Sequence, residues 1–240
     1  MEYQRRMPVN SVRIKICGEF ACFTRPEAKV ERVSYPLPTP SAARNILDSI
    51  CWRPEMRWIV TSIAVLKPIR YISVRRNEVQ SKISPAAVKT WMSDVSKYEP
   101  LAAGAGANTD GTPRNSLLLR EVAYVVEAHP VVFDKSGDNT PMKYAAMLQR
   151  RVEKGQCFQR PSLGCREFAA DFSMAAENDK PVAVTEDLGR MLYDVIFRPE
   201  GNQAIFFDAR LNAGVMDTRP EAVLTDDTRR QEVLQCSYKR

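Results

Sequence analysis

The chain has 240 residues, 44% of them hydrophobic and 27% charged, with a formal net charge of +6 at neutral pH. That balance belongs to a folded globular protein, long enough for one large domain or two small ones. No apolar run approaches the ~20 residues of a membrane span, and the opening MEYQRRMPVN lacks the apolar centre of a signal peptide, so a cytoplasmic protein without membrane contact is expected.

In SVRIKICGEFACF, Val12, Ile14 and Ile16 alternate with Arg13 and Lys15, the pattern of a half-buried strand. After a proline-containing loop, TPSAARNILDSICW reads as a helix. Thr39 is its N-cap, Pro40 takes the first helical position, Ala43, Ile46, Leu47 and Ile50 form one apolar face, and Pro54 marks the end. MRWIVTSIAVLKPIRYISVRR reads as extended chain with a bend or edge at Pro68. Residues 84–115 are the least regular, and within them AAGAGANTDGTPRN looks like a mobile loop. Its glycines do not have the spacing of a nucleotide cradle.

SLLLREVAYVVEAHPVVF is a strand, followed by a helix capped by Asn139 or Thr140, starting near Pro141 and stopped by Gly155. LGCREFAADF is read as extended. Beyond residue 185, LGRMLYDVIF and AIFFDARLNAGVMD read as an antiparallel addition turning at 212–214. The order strand–helix–strand, excursion, strand–helix–strand predicts an α+β protein. Its residues 1–180 would form a ferredoxin-like domain of the kind RNA-recognition modules use, and residues 181–240 a small antiparallel β domain.

The six cysteines, at 17, 22, 51, 157, 165 and 236, lack CxxC pairs, so free thiols are expected and neither a metal site nor a cofactor. The charge is unevenly placed. Residues 1–100 hold 17 Lys and Arg against 9 Asp and Glu, residues 141–166 hold 6 against 1, and residues 167–240 hold 9 against 14. A basic face toward a polyanion is expected, with Arg150, Arg151 and Lys154 on the second helix and Arg160 and Arg166 just beyond it as the RNA-binding residues. Tyr35, Tyr71, Phe158 and Trp52 are aromatic candidates for base stacking, with Trp52 better placed in the core. The lone histidine, His129, reads as a satisfied strand residue rather than a catalytic one.

Three phrases, taken together and in order, resemble one family: GEFACFTRPEAKVERVSYPLPTPSAARNILDSICWRP, PIRYISVRRNEV and KYAAMLQRRVEKGQCFQRPSLGCREF. They are similar to the CRISPR-associated type I-C RAMP-superfamily proteins (Cas five, subfamily d, also called c). The resemblance implies an endoribonuclease that cuts precursor CRISPR RNA within its repeat, needs no metal, and stays on the 5′ handle as a Cascade subunit. Its partners would be the repeat RNA and the other type I-C subunits, with double-stranded DNA left open. The family cuts with a tyrosine just before the tryptophan that closes the first helix, and with a Lys-His pair opening the second. Here those places hold Cys51, Lys143 and Tyr144. Lys143 therefore carries over as the charge stabiliser, while Cys51 and Tyr144 are the candidates for the remaining catalytic roles. The alternative is a non-catalytic RNA-binding scaffold that caps the handle.

Overall fold

Alternating burial along β1 (Val12–Ala21) sends Val12, Ile14 and Ile16 into the core, as their spacing predicts. The computed structural model describes residues 10–28, 30–79, 81–99 and 110–235. Residues 102–109 of the expected loop, and Cys236, lie outside them. α1 (Pro40–Ile50) starts where Thr39 Oγ1 accepts the Ala42 N–H at 3.1 Å, and its Ala43, Ile46, Leu47 and Ile50 are all buried. β2 (Met56–Val65) is almost wholly buried and β3 (Tyr71–Val79) follows the bend at Pro68.

β4 (Gly111–Val132) is longer than expected, because residues 111–115, read as loop, pair in register with β3 from Val79–Gly111 to Arg75–Asn115. Composition suggested a turn there; the cross-strand ladder overrides it. β3 and the first half of β4 stand out as a two-stranded arm, with α2 (Pro85–Ser93) in the connection and none of its residues buried. Glu121, at φ 52°, kinks β4 where the arm meets the sheet. Arg32 and Arg76 each pair with Glu78 of the arm and with Glu167, tying the arm to the segments that carry Arg32 and Glu167.

α3 (Pro141–Glu153) is capped by Thr140 and stopped by Gly155 at φ 62°. Its Tyr144, Ala145, Leu148 and Val152 face the core. β5 (Asp171–Met174) is only the tail of the segment read as strand; 163–170 is irregular, since its backbone bonds go to turns and to the 21–23 region rather than to a ladder. β6 (Glu186–Ile196), β7 (Gln203–Asn212) and β8 (Val215–Asp217) form the expected antiparallel addition, turning through Ala213 and Gly214 at positive φ. α4 (Pro220–Val223) and α5 (Asp227–Gln235) were not expected.

The result is an α+β fold on one antiparallel sheet, in the order β5-β1-β4-β2-β8-β7-β6. α1 and α3 share the core on one face of it. The chain after β5 runs across toward β2: Ala175 N–H donates to the Arg13 carbonyl, Asp179 pairs with Lys15 at 2.5 Å, and Val182 N–H donates to the Val65 carbonyl. One buried ion cluster joins the edge strand β6 to α1 and to the central strand β2. Asp194 of β6 receives Arg44 of α1 (Nη2–Oδ1 2.8 Å) and Arg57 of β2 (Nη2–Oδ2 2.5 Å).

Candidate ribonuclease site

The C-terminal end of α1 is bound to the last turn of α3 and to the segment that follows it. Phe158 and Gln159 N–H groups both donate to the Ser49 carbonyl (2.9 and 3.0 Å), and Arg151 Nη1 donates to the Ile50 carbonyl at 2.6 Å. The Glu55 carbonyl accepts the Phe133 N–H at 2.8 Å. These bonds bring the turn 51–55, the last turn of α3 and the segment 157–160 together, and the Tyr144–Glu55 bond ties the start of α3 to the same turn.

At their meeting point Tyr144 is fully buried, and its hydroxyl lies 2.8 Å from Glu55 Oε1 and 2.7 Å from Asn139 Oδ1. Burial, followed by the bond to Glu55, pushes the phenol up to about 12. It therefore keeps its proton at neutral pH and cannot act as a base. Lys143, one-third exposed, reaches Asp138 at 2.7 Å and Asn139 Oδ1 at 3.3 Å, with Nζ 5.6 Å above the Tyr144 ring. Bonded to Lys143, Asp138 is held below the usual carboxylate range. The helix end adds little to this cation: Pro141 has no N–H, and Thr140 takes those of Lys143 and Tyr144.

Cys51 is completely buried, and burial pushes its thiol up, so it stands in the core as a small apolar group. Its carbonyl accepts the indole N–H of the equally buried Trp58. Trp52 is 38% exposed rather than core: the chain turns outward after α1, and Trp58 fills the interior instead. Phe158 is 81% exposed and Tyr71 is exposed, whereas Tyr35 is buried, its hydroxyl accepting the Leu192 N–H, and cannot stack on a base. His129 pairs with Ile59 inside β4, and strand alternation puts it on the sheet face opposite Val126 and Ala128, which pack in the core. Burial lowers its pKa, and it is no part of this site.

Arg150 and Lys154 are exposed on α3, with Arg150 two turns past Lys143 on the same face. Arg151 is half-buried by its bond to Ile50 and acts first as a tether between the helices. Arg160 pairs with Asp171 at 2.5 Å and lines, with Arg166, a shallow depression beside Pro161. Sequence reasoning missed Glu55, Asp138 and the exposed Arg53. Glu55 sits in a Pro-Glu turn whose partner is 89 residues away, so no local spacing could mark it. Among the described residues no three His, Cys, Asp or Glu side chains are grouped to hold a metal ion.

Residues 11–232 match the family described as CRISPR-associated protein (Cas_Cas5). The chain belongs to the Cas5 family. A relative from Mannheimia succiniciproducens named CRISPR pre-crRNA endoribonuclease Cas5d is 46% identical over 220 residues, covering 88% of this chain and 96% of the relative. One of the same name from Thermus thermophilus is 37% identical, covering 88% and 92%. The fold is similar to the crystal structure of a CRISPR-associated protein at TM-score 0.60 and 22% identity, covering 86% of this chain and 90% of that one. This Cas5 chain has a partly exposed lysine at position 143 and exposed cationic side chains at 150, 154, 160 and 166.

Proposed function

We propose that the chain is an endoribonuclease that cleaves precursor CRISPR RNA within the repeat, without a metal, leaving a 2′,3′-cyclic phosphate and a 5′-hydroxyl. It then stays on the 5′ handle as a subunit of a type I-C Cascade complex in the cytoplasm. The observation that carries this is the Lys143 ammonium, accessible and braced by Asp138 and Asn139, on the helix face that continues to Arg150. The two relatives named as pre-crRNA endoribonucleases support the same activity.

In this mechanism Lys143 sits where negative charge grows on the phosphorane oxygens. The exposed Arg150, Lys154, Arg160 and Arg166 hold the RNA backbone, and Arg151 adds its remaining donors. Trp52 and Phe158 offer faces for unpaired bases. Double-stranded DNA is a second polyanion for the same surface. The ferredoxin-like assignment of residues 1–180 is supported by the order β5-β1-β4-β2 with α1 and α3 on one face. Since β8 pairs with β2 and the core runs through both parts, the division at residue 180 is proposed as one of topology, not of independent folding.

The burial of Tyr144 and Cys51 favours the second reading, a scaffold that binds the handle without cutting it. End-labelled repeat RNA incubated with the protein in EDTA separates the two. One defined cut with a cyclic-phosphate end is expected, and Lys143→Ala should slow single-turnover cleavage about 10²–10³-fold, as loss of one transition-state donor does, while RNA affinity changes little. Equal losses in cleavage and affinity would reduce Lys143 to a phosphate contact. Tight binding by a wild-type protein that never cuts would establish the scaffold.

A further inference from the structure

We propose that Glu55 is the proton-accepting residue of the site, a carboxylate that takes the 2′-hydroxyl proton of the RNA while Tyr144 holds it in position. This rests on the RNA-cleavage reading above.

The argument begins with a count of protons. The Tyr144 hydroxyl has one hydrogen and two close acceptors, Glu55 Oε1 at 2.8 Å and Asn139 Oδ1 at 2.7 Å. Lys143 Nζ, 3.3 Å from the same Asn139 oxygen, orients that amide with its oxygen inward. If the phenol donates to Asn139, the contact with Glu55 is completed by a proton on the carboxyl. If the phenol donates to Glu55, the carboxylate is ionised and charge-assisted, and the Asn139 amide must turn its N–H₂ toward the phenol oxygen, since two acceptor oxygens do not stay 2.7 Å apart without a hydrogen. Rotation of the hydroxyl together with that turn of the amide converts one arrangement into the other. Glu55 thus keeps its contact with the phenol in both of its protonation states, which suits it to proton transfer.

The other groups around Lys143 are less suited. Tyr144 keeps its proton at neutral pH, Cys51 is sealed in the core, and His129 lies on the opposite sheet face. Asp138 is bound directly to Lys143 and exposed to water, so it neutralises the ammonium rather than serving the substrate. Glu55 is half-buried on a turn fixed at its carbonyl by Phe133, with exposed Trp52, Arg53 and Pro54 beside it. The charged and titratable groups facing the Tyr144–Glu55 pair are Lys143 on α3, Asp138 on the loop before it and Arg53 on Glu55's own turn.

The step balances without a co-reactant. The 2′-O–H bond breaks and its proton passes to the Glu55 carboxylate. The P–O2′ bond forms and the P–O5′ bond breaks. The departing 5′-oxygen takes a proton from water, and Glu55 returns its own to solvent.

The test is a single-turnover pH–rate profile on repeat RNA in EDTA, beside RNA affinity, for wild type, Glu55→Gln, Glu55→Asp and Tyr144→Phe. In the wild type the rate should rise with pH, since a general base acts only when unprotonated. Glu55→Gln should cut about 10²–10⁴-fold more slowly, the usual contribution of a positioned base, and lose that rise, with RNA affinity unchanged. Glu55→Asp, which keeps the charge if the amide variant fails to fold, should retain the rise at a reduced rate. Tyr144→Phe removes the hydroxyl that holds Glu55 in position, so it should cut more slowly with RNA affinity unchanged. A Glu55→Gln protein that cuts like the wild type, or more slowly with the same pH profile, would overturn the assignment and leave Glu55 a structural residue. A wild type that does not cut would instead remove the cleavage reading on which it rests.

Discussion

Two buried guanidinium groups share the Asp194 carboxylate, and its replacement tests how β6 is held to α1 and β2. The side chain is 1% exposed and meets Arg44 of α1 and Arg57 of β2, while its Oδ1 also accepts the Val195 N–H at 2.8 Å. Burial pushes its carboxyl up, but the guanidinium groups, Arg44 first, more than offset this and hold it below the usual carboxylate range. Asp194→Asn keeps the shape and leaves two cations facing one neutral amide. Removing one member of a buried ion pair costs about 3–5 kcal/mol. Asp48 stays beside Arg44 at 4.0 Å, so the middle of that range is expected. For a protein of this size each kcal/mol moves Tm by roughly 2–4 °C, so a fall of about 10–15 °C should appear in thermal unfolding, with a matching loss in a urea titration. Since the folded pKa is lowered, the contribution of Asp194 is present above the unfolded carboxylate range and is lost as pH falls through the folded value. The gap between wild type and variant should therefore close in acid. Replacing all three side chains by apolar ones (Arg44→Met, Arg57→Met, Asp194→Leu) should recover most of the loss. A single-variant loss below about 1 kcal/mol, the range of exposed pairs, would refute the claim that this cluster locks β6 to α1 and β2.

Asp48, buried beside Arg44, is pushed up to about 6 by burial, against the attraction of Arg44 and Arg57. A raised carboxyl means that stability falls as pH climbs from about 4 to about 6, so Asp48→Asn should be more stable than wild type by about 2–3 kcal/mol above pH 6, on the scale of 1.36 kcal/mol per pKa unit. The advantage should vanish in acid, and a pH-independent difference in Tm would contradict it. Phe158→Ala removes an 81% exposed ring and should leave Tm unchanged while weakening repeat-RNA binding by about 1–3 kcal/mol, the worth of one base–aromatic stack; unchanged binding would remove Phe158 from the RNA surface.

The two core helices were legible because capping and apolar spacing are local signals. Thr39 and Thr140 cap where expected, and Ala43, Ile46, Leu47, Ile50, Ala145, Leu148 and Val152 are buried as spaced. The arm was not legible. Gly111, Thr112 and Pro113 have turn chemistry, and only their pairing with Val79, Glu78 and Asn77 makes them strand. At the site, Lys143 and the basic residues after it were visible as a charge pattern. Trp52, expected in the core, lies exposed because composition cannot say which way a chain turns after a helix. Glu55 was invisible for a different reason. Its role depends on a contact across the core with Tyr144, and nothing in ICWRPEMRW marks it.

That contact also gives a physical account of the departure at position 144, where the resemblance implies a histidine. An imidazole titrates near neutral pH and can carry a proton itself. A buried phenol pushed up to about 12 cannot, but it can orient a neighbour that does. Exchange of one ring for the other thus moves the titrating function from position 144 to whatever the ring touches, and here that is Glu55. Tyr144→His should return it. In the His background cleavage should rise with pH through the ordinary histidine range, near 6.5, and Glu55→Gln should lower the rate far less than it does beside Tyr144. Two residues that share one proton are expected to be non-additive in this sense. Single-turnover rates for the four proteins of the cycle, with RNA affinity measured alongside, give the coupling directly. Independent, additive losses would mean that Glu55 and the residue at 144 act on different steps, and the displacement of the proton carrier would be disproved.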